Sequence, residues 1–349
     1  MISMRQFVTA AIFLLLVNFA YGQVSATPDP LFQSNTPIRV VMSGPFTTLI
    51  EERSKEDYLP GVISYTDNDG ASVPLDVEIR TRGHNRHQNC DYPPVLLNFK
   101  KKQTKGTIFE GQNKLKLVIP CKYSSQYEQI VLREYLAYRI LNILTDMSFR
   151  VRLLQVSFEN TQKNKEPVVR YAFLIEHKKR LGERYGMKEW KVERASIKDI
   201  VPDRLNLTSV FAYLIGNTDF SPIAGPPGDK CCHNYVLLGK EDDDPIFAIP
   251  YDFDQSGLVN APYAVPAPEF RSITSVRQRL YRGRCVNNQY LEGSLQRLND
   301  RRRQIYVLIN DQEGLTDYTR KSLIDYVDGF YKIINKPKAV QRNLVKKCV

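Results

Sequence analysis

The stretch YVLLGKEDDDPIFAIPYDFD, residues 235–254, carries the clearest pattern in the chain. Two apolar runs, residues 235–238 and 246–249, flank an acidic segment, which predicts two antiparallel strands joined by an exposed turn. Asp252 and Asp254 follow the second run directly. Because the end of a buried strand holds side chains rigidly, this stretch predicts a functional edge of the fold.

Polar residues also stand at the ends of the elements just upstream. A helix is predicted over residues 205–215, since Gly216 is typical of a helix C-terminus. Asp219 follows this helix, and Asn234 directly precedes the first strand. The order suits phosphoryl transfer, in which one carboxylate takes the proton of an acceptor hydroxyl while amide and carboxylate oxygens bind Mg²⁺.

The N-terminal half predicts a sheet with one inserted helix. Apolar or alternating runs indicate strands at residues 38–42, 61–65, 73–82, 95–99, 114–118, 151–158 and 168–175. Apolar residues at three-to-four spacing predict an amphipathic helix over residues 126–144.

This half supplies candidates for holding phosphates. Lys116 on a strand and Glu134 on the helix form the expected phosphate-positioning pair, with Lys114 on the same strand face as the competing lysine. Arg82 and Gly83 open a connection that can fold over phosphates. A further candidate is Glu176, which follows the last strand, where two lobes would hinge.

The motif order resembles the spore coat protein H (CotH) family of atypical kinases, over roughly residues 75–260. It also resembles a group of uncharacterised bacterial exported proteins that share the segment IPYDFD. The motifs are Arg82-Gly83, the helix segment Leu132 to Leu136, Asn217-Thr218-Asp219, Asn234 and the segment Pro250 to Asp254. The resemblance implies that Asp219 is the catalytic aspartate and that Asn234 and Asp252 bind metal. One departure is that fourteen residues separate Asp219 from Asn234, where kinases usually have four.

We therefore expect an α+β chain with a bilobal protein-kinase-like fold, in which a small β-rich N-lobe with one helix precedes a larger, mainly helical C-lobe. The expected divisions are a signal peptide at residues 1–22, a linker at 23–37, a nucleotide-clamping N-lobe at 38–176 and a catalytic C-lobe at 177–349.

The expected function is transfer of phosphate from ATP to a protein or glycan acceptor, with Mg²⁺ or Mn²⁺ held by Asn234, Asp252 and Asp254. Two alternatives stay open: a catalytically inactive kinase-like binding module of the cell envelope or secretome, and a metal-dependent hydrolase that uses Asp219, Asp252, Asp254 and His233.

Composition excludes several classes of protein. With 349 residues, 42% of them hydrophobic and 25% charged, the chain is neither disordered nor fibrous. The net charge of +11 favours acidic partners. Basic runs such as residues 100–102 and 301–303 are short and lack an aromatic ladder, so no specific nucleic-acid binding is expected.

The six cysteines predict disulfides in an exported chain, with at least two bonds formed. Neighbouring Cys231 and Cys232 are expected to bond to distant cysteines, because a bridge prefers a wider Cα separation than one peptide allows. A rival interpretation is a metal site built from His84, His87 and Cys90 or from Cys231, Cys232 and His233.

Residues 1–22 combine Arg5, an apolar core at residues 8–17 and the small-residue site Ala20-Tyr21-Gly22, which together indicate a signal peptide. The core has about ten residues, short of the about twenty in a membrane span. A secreted or periplasmic location is expected, with an uncleaved anchor as the alternative. Exported protein should begin at Gln23 on N-terminal sequencing, and exported material that begins at Met1 would contradict this prediction.

Overall fold

A computed structural model describes residues 27–67, 69–240, 244–267 and 269–349. The expected signal peptide and the first residues of the expected linker lie outside the described residues. The chain enters the fold through a short 3₁₀ helix at Pro30–Phe32. Leu31 and Phe32 of this turn are buried in the core of the first part of the fold, so the later part of the expected linker is packed.

Seven strands build that first part. They are β1 (Ile38–Gly44), β2 (Leu59–Thr66), β3 (Ser72–Thr81), β4 (Val95–Phe99), β5 (Lys114–Val118), β6 (Val151–Asn160) and β7 (Val168–Ile175). They form a closed barrel in the order β1-β2-β3-β4-β5-β7-β6. The pair that closes it is β1 with β6, which run parallel with Ile38 opposite Leu154. Every strand expected from the sequence is present, with bounds within two residues of the expected ones.

The barrel interior is filled by alternate side chains, because successive residues of a strand point to opposite faces. In β3, Leu75, Val77 and Ile79 are buried while their neighbours are more exposed. The rings of Phe99 and Phe109 pack in the same core with centroids 5.1 Å apart.

The first four helices belong to the barrel half of the chain. They are α1 (Phe46–Glu52), α2 (Asn85–Asn89), α3 (Lys101–Thr104) and α4 (Ser125–Leu144). The expected helix at residues 126–144 is confirmed by α4, but the expected amphipathic character is wrong, since twelve of its residues are buried, among them Arg133 and Glu134. The reason is that α4 packs between the outer surface of the barrel and the helices that follow.

The second part is mainly helical. Its helices are α5 (Lys178–Arg184), α6 (Pro202–Ile215), α7 (Leu291–Asp300), α8 (Arg302–Asn310), α9 (Asp317–Ile334) and α10 (Pro337–Asn343). A small sheet pairs β8 (Lys188–Glu189), β9 (Tyr235–Gly239) and β10 (Phe247–Pro250) in the order β10-β9-β8. The antiparallel strand pair expected from the stretch 235–254 is confirmed, while residues 241–243 of its expected turn lie outside the described residues. The end of α6 at Gly216, which is left-handed with φ 67°, is also confirmed. Among the described residues, no helix is both long and apolar enough to cross a membrane.

The expected bilobal protein-kinase-like fold is wrong. In place of a small lobe with one helix, the chain forms a closed seven-stranded barrel with a helical region beside it. The strands were expected individually, but closure depends on the pairing of β1 with β6, residues more than a hundred positions apart. Local periodicity identifies a strand and its inward face but carries no information on which distant strand it pairs with.

Three disulfides are present: Cys90–Cys121, Cys231–Cys232 and Cys285–Cys348. The expectation that Cys231 and Cys232 bond to distant cysteines is therefore wrong. Neither rival metal site forms among the described residues, because Cys90 is bonded to Cys121 and Cys231 to Cys232. The His87 ring hydrogen bonds to Arg53 O at 2.8 Å. Disulfides fit an oxidising compartment outside the cytoplasm.

The Cys90–Cys121 bond closes a loop with a sequence separation of 31, which restricts the unfolded chain. The double variant Cys90→Ser/Cys121→Ser should lower the free energy of unfolding by about 3 to 4 kcal/mol. Urea unfolding of both proteins measures this loss. The variant Cys285→Ser/Cys348→Ser, which opens a loop of separation 63, serves as the comparison. Its free energy of unfolding should fall slightly further, because the opened loop is longer. An unchanged midpoint in the first variant would contradict the bond's stabilising role.

Candidate functional site

Most of the charged residues that the sequence analysis singled out come together where the barrel meets the helical region. Lys116 comes from β5, Glu134 from α4, Asp219 from the segment after α6, and Asp252 from the segment after β10. Their charges act on one another: Asp252 and Glu134 both influence the pKa of Lys116, while Asp219 and Asp252 both influence that of Asp254. We name this set, with Arg82, Arg86 and Asn234, the charged cleft.

Lys116 lies at the opening of the charged cleft. Its side chain keeps contact with water, while its Nζ lies 4.8 Å from the centre of the Tyr251 ring. Burial among the cleft atoms lowers the pKa of Lys116 to about 8, helped by the charge of Arg82. The competing lysine, Lys114, lines a different groove beside His177.

Glu134 lies beneath this opening and is 2% exposed. Its direct partner is Arg86, whose Nη1 lies 3.6 Å from Glu134 Oε2. Lys116 influences Glu134 only at longer range, so the expected phosphate-positioning pair is not a contact ion pair. Burial raises the pKa of Glu134 to about 8, and the carboxylates of Asp254 and Asp252 act in the same direction against Arg86.

The acidic tip after β10 is anchored by its central aromatic residue. Phe253 is buried and packs its ring against those of Tyr138, 4.6 Å away, and Phe211, 5.3 Å away. The backbone of Asp252 is left-handed, with φ 63°, and its N–H donates to the Tyr138 hydroxyl at 2.9 Å. Asp252 consequently faces the opening of the cleft.

Asp254 lies deeper in the protein than Asp252. It is 7% exposed, and burial together with the charge of Asp252 raises its pKa to about 7, against the opposing charge of Arg86. Two carboxylates at different depths therefore face the same cations.

Asp219 is held by three polar neighbours. Its backbone N–H donates to Asn217 Oδ1 at 2.9 Å, and its Oδ1 lies 2.7 Å from His233 Nε2. The Asn234 amide nitrogen donates to Asp219 O at 2.7 Å and to Asp219 Oδ2 at 3.1 Å. The hydrogen bond to Asp219 raises the pKa of His233. Because both hydrogen bonds from Asn234 to Asp219 use the amide nitrogen, the amide oxygen of Asn234 can bind another ligand.

The fourteen-residue insertion between Asp219 and Asn234 does not separate them. The chain leaves after Asp219, and Ser221 and His233 then pair as an antiparallel bridge, with Ser221 N donating to His233 O at 2.9 Å. The insertion is thus a closed loop above a narrow neck, and Asp219 and Asn234 meet at its base.

Of the two remaining candidates, Glu176 pairs with an arginine outside the charged cleft, whereas Arg82 belongs to the cleft. Both oxygens of Glu176 bind Arg184, at 2.8 Å and 2.9 Å, so its buried carboxylate joins the barrel to α5. Arg82 lies in the cleft and donates from Nε to Val95 O at 3.1 Å. Gly83 follows at φ 84°, a left-handed conformation that favours glycine and turns the chain toward α2.

Sequence reasoning missed Arg86, Tyr138 and Tyr251. Arg86 stands within the His-x-x-His-x-x-Cys pattern, which drew attention to metal ligands instead of to the arginine between them. Its spacing of four from Arg82 is the one signal that pointed to a second cation in this segment. Tyr138 carried none, because an aromatic residue in an apolar run is typical of a core. Tyr251 lies in the segment Pro250 to Asp254 of the resemblance, which gave it no role.

A preassembled metal cluster is not found in the described part of the chain, where no group of three or more His, Cys, Asp and Glu side chains is placed to share one ion. A smaller set of donors is present: the two carboxylates of Asp252 and Asp254 and the amide oxygen of Asn234. Mg²⁺ prefers oxygen donors of this kind. Comparison with protein-family models and with curated proteins finds no match to this chain. The chemistry of the cleft must therefore be argued from its own residues.

The raised pKa of Glu134 makes stability depend on pH. Between the ordinary carboxyl value of 4.5 and about 8, the folded state holds a proton that the unfolded state has released. The free energy of unfolding consequently falls as pH rises through this window. The variant Glu134→Gln lacks this titration, so its stability relative to the parent should rise from about pH 5 to about pH 8.

Urea unfolding at several pH values measures the difference between Glu134→Gln and the parent. The variant Glu292→Gln, on an exposed position of α7, is the control and should track the parent at every pH. A difference between Glu134→Gln and the parent that stays constant with pH would show that Glu134 is ionised in the folded protein.

Proposed function

We propose that the charged cleft binds a nucleoside triphosphate, ATP in the first instance, with Mg²⁺ or Mn²⁺, and transfers its terminal phosphate to a protein or glycan acceptor outside the cytoplasm. The observation that carries this proposal is that Lys116, Arg82 and Arg86 lie close enough to the acidic residues Glu134, Asp252 and Asp254 for their charges to influence one another's pKa values. Lys116 and Asp252 of this set are exposed to water, and Asp219 acts on Asp254 from beside them. Phosphoryl transfer requires such positioning and charge stabilisation more than covalent chemistry by the protein.

The cations are suited to the phosphates. Arg82 and Arg86 present planar guanidinium groups, which bind phosphate oxygens in pairs, and Lys116 adds a compact charge at the opening. The lowered pKa of Lys116 reflects burial and the neighbouring Arg82, and an incoming polyanion would relieve that repulsion.

The carboxylates are suited to a divalent cation. Asp252 raises the pKa of Asp254, so the two repel each other, and a bound cation would remove this repulsion. Asn234 would complete the donor set through its amide oxygen. When bound, such an ion neutralises the charge on the phosphate oxygens.

Asp219 is the residue that would orient the acceptor hydroxyl and take its proton. Its carboxylate is fixed by His233 on one oxygen and by Asn234 on the other, which limits its rotation. A fixed carboxylate at the cleft edge meets the geometric need of a general base. The net charge of +11 favours acidic acceptors.

The resemblance of the motif order to that of the spore coat protein H family supports the same chemistry, although the fold that the resemblance implied is not found. One observation favours the second candidate, an inactive binding module. Glu134 contacts Arg86 and not Lys116, so the pair on which phosphate positioning would depend is not in contact.

Nucleotide binding predicts a rise in melting temperature with ATP and Mg²⁺, of about 2 to 4 °C at saturating ligand, because the ligand binds only the folded state. The rise should disappear in Asp252→Ala, which loses a metal ligand. It should shrink in Lys116→Met but not in Lys114→Met, a matched variant two residues away on the same strand. A rise that does not need the metal, or equal effects of the two lysine variants, would refute these roles.

Catalysis is tested separately from binding by Asp219→Asn, which keeps the shape of the side chain but is a poor proton acceptor. Incorporation of labelled phosphate into the protein itself and into casein should fall at least about a hundredfold, while the ATP-dependent rise in melting temperature remains. If the variant incorporates as much label as the parent, Asp219 is not the base. Binding without any incorporation by the parent would establish the inactive module.

A further inference from the structure

A cavity lies at one end of the barrel, apart from the charged cleft. It has a volume of about 720 Å³ and is bounded by α1, by the segment next to the Cys90–Cys121 bond and by the ends of β6 and β7. Its walls are largely apolar, formed by Phe46, Leu49, Tyr92, Val95, Phe158 and Val168. The volume is that of a small-molecule site.

Basic side chains surround the mouth of this cavity. Lys122, Lys163, Lys165 and Arg170 line it, against the two carboxylates of Glu51 and Glu166. In the described residues none of the four cations forms an ion pair with a carboxylate. The three lysines are exposed to water, so the excess of positive charge lies outside and the apolar surface inside.

We propose that the barrel mouth binds a single-chain amphiphile with an anionic head group. The acyl chain would enter the apolar cavity, where burial of methylene groups stabilises the complex, and the head group would lie among the lysines at the rim. A nucleotide does not fit these walls, because its phosphates need donors along their length.

This site is separate from the charged cleft and does not depend on the function proposed for it. The segment from Arg82 to Val95 forms a wall between the two. Arg82 and Arg86 lie on the cleft side, whereas Tyr92 and Val95 line the cavity. Arg82 donates to Val95 O, so the two sides of the wall are directly bonded.

Calorimetry with dodecanoate is the test, using the full exported chain. Each methylene added from octanoate to dodecanoate should tighten binding about fourfold while the cavity still has room. Dodecyltrimethylammonium, with the same chain and the opposite charge, should bind at least about tenfold more weakly. Equal binding of the two head groups, or binding independent of chain length, would overturn the proposal. A lysophosphatidic acid of the same chain length then distinguishes a phosphate head group from a carboxylate.

Variants locate the site. Ile50 of α1 lines the cavity and is only half-buried, so Ile50→Trp should narrow the cavity and weaken binding, whereas Ile50→Ala should retain it. Lys163→Glu/Lys165→Glu should weaken dodecanoate binding at least about tenfold. The matched variant Lys346→Glu/Lys347→Glu, at the far end of the chain, should not. If the rim and control variants behave alike, the barrel mouth is not the site.

Discussion

The position of the charged cleft depends on one side chain, Tyr138 of α4. Its ring packs against Phe173 of β7 on the barrel, at 5.8 Å, and against Phe253 of the acidic tip, at 4.6 Å. Its hydroxyl accepts the N–H of Asp252. Burial keeps this hydroxyl neutral, since it raises the pKa of Tyr138 well above its ordinary value. A single residue thus ties the barrel, the central helix and the segment that carries two carboxylates.

The same packing explains the electrostatics of the cleft. Because α4 is enclosed on nearly all sides, Glu134 is carried into the protein interior, where Arg86 is the one cation of the described residues within ion-pair distance. Burying several like charges in one place is unfavourable, and proteins retain such arrangements mainly where ligands or reactions use them. The lowered pKa of Lys116 and the raised pKa values of Glu134 and Asp254 all result from the burial of charged groups close to one another.

Prediction from the sequence succeeded where the signal is local. Alternation and apolar runs identified all seven barrel strands, and Gly216 marked the end of α6. Closure of the barrel was missed because it is decided by the contact between β1 and β6, which no local pattern encodes. The contact of Glu134 with Arg86 instead of Lys116 was also missed because it is not local in sequence. It depends on where α2 lies relative to α4. The Cys231–Cys232 bond was missed because general geometry argued against it.

The neck formed by Ser221 and His233 has a consequence for how this protein can diversify. Ile223, Cys231 and Cys232 of the loop pack against the core next to β9, and Ile223 O accepts the N–H of Ala195, so these parts of the loop are fixed. The tip, residues 226–229, is exposed. Because the chain is pinched at Ser221 and His233, this tip can lengthen or change composition while Asp219 and Asn234 keep their hydrogen bonds. Doubling the length of such a loop costs only about 0.6 kcal/mol in closure entropy. Sequence change is therefore cheap at the tip and costly at the base.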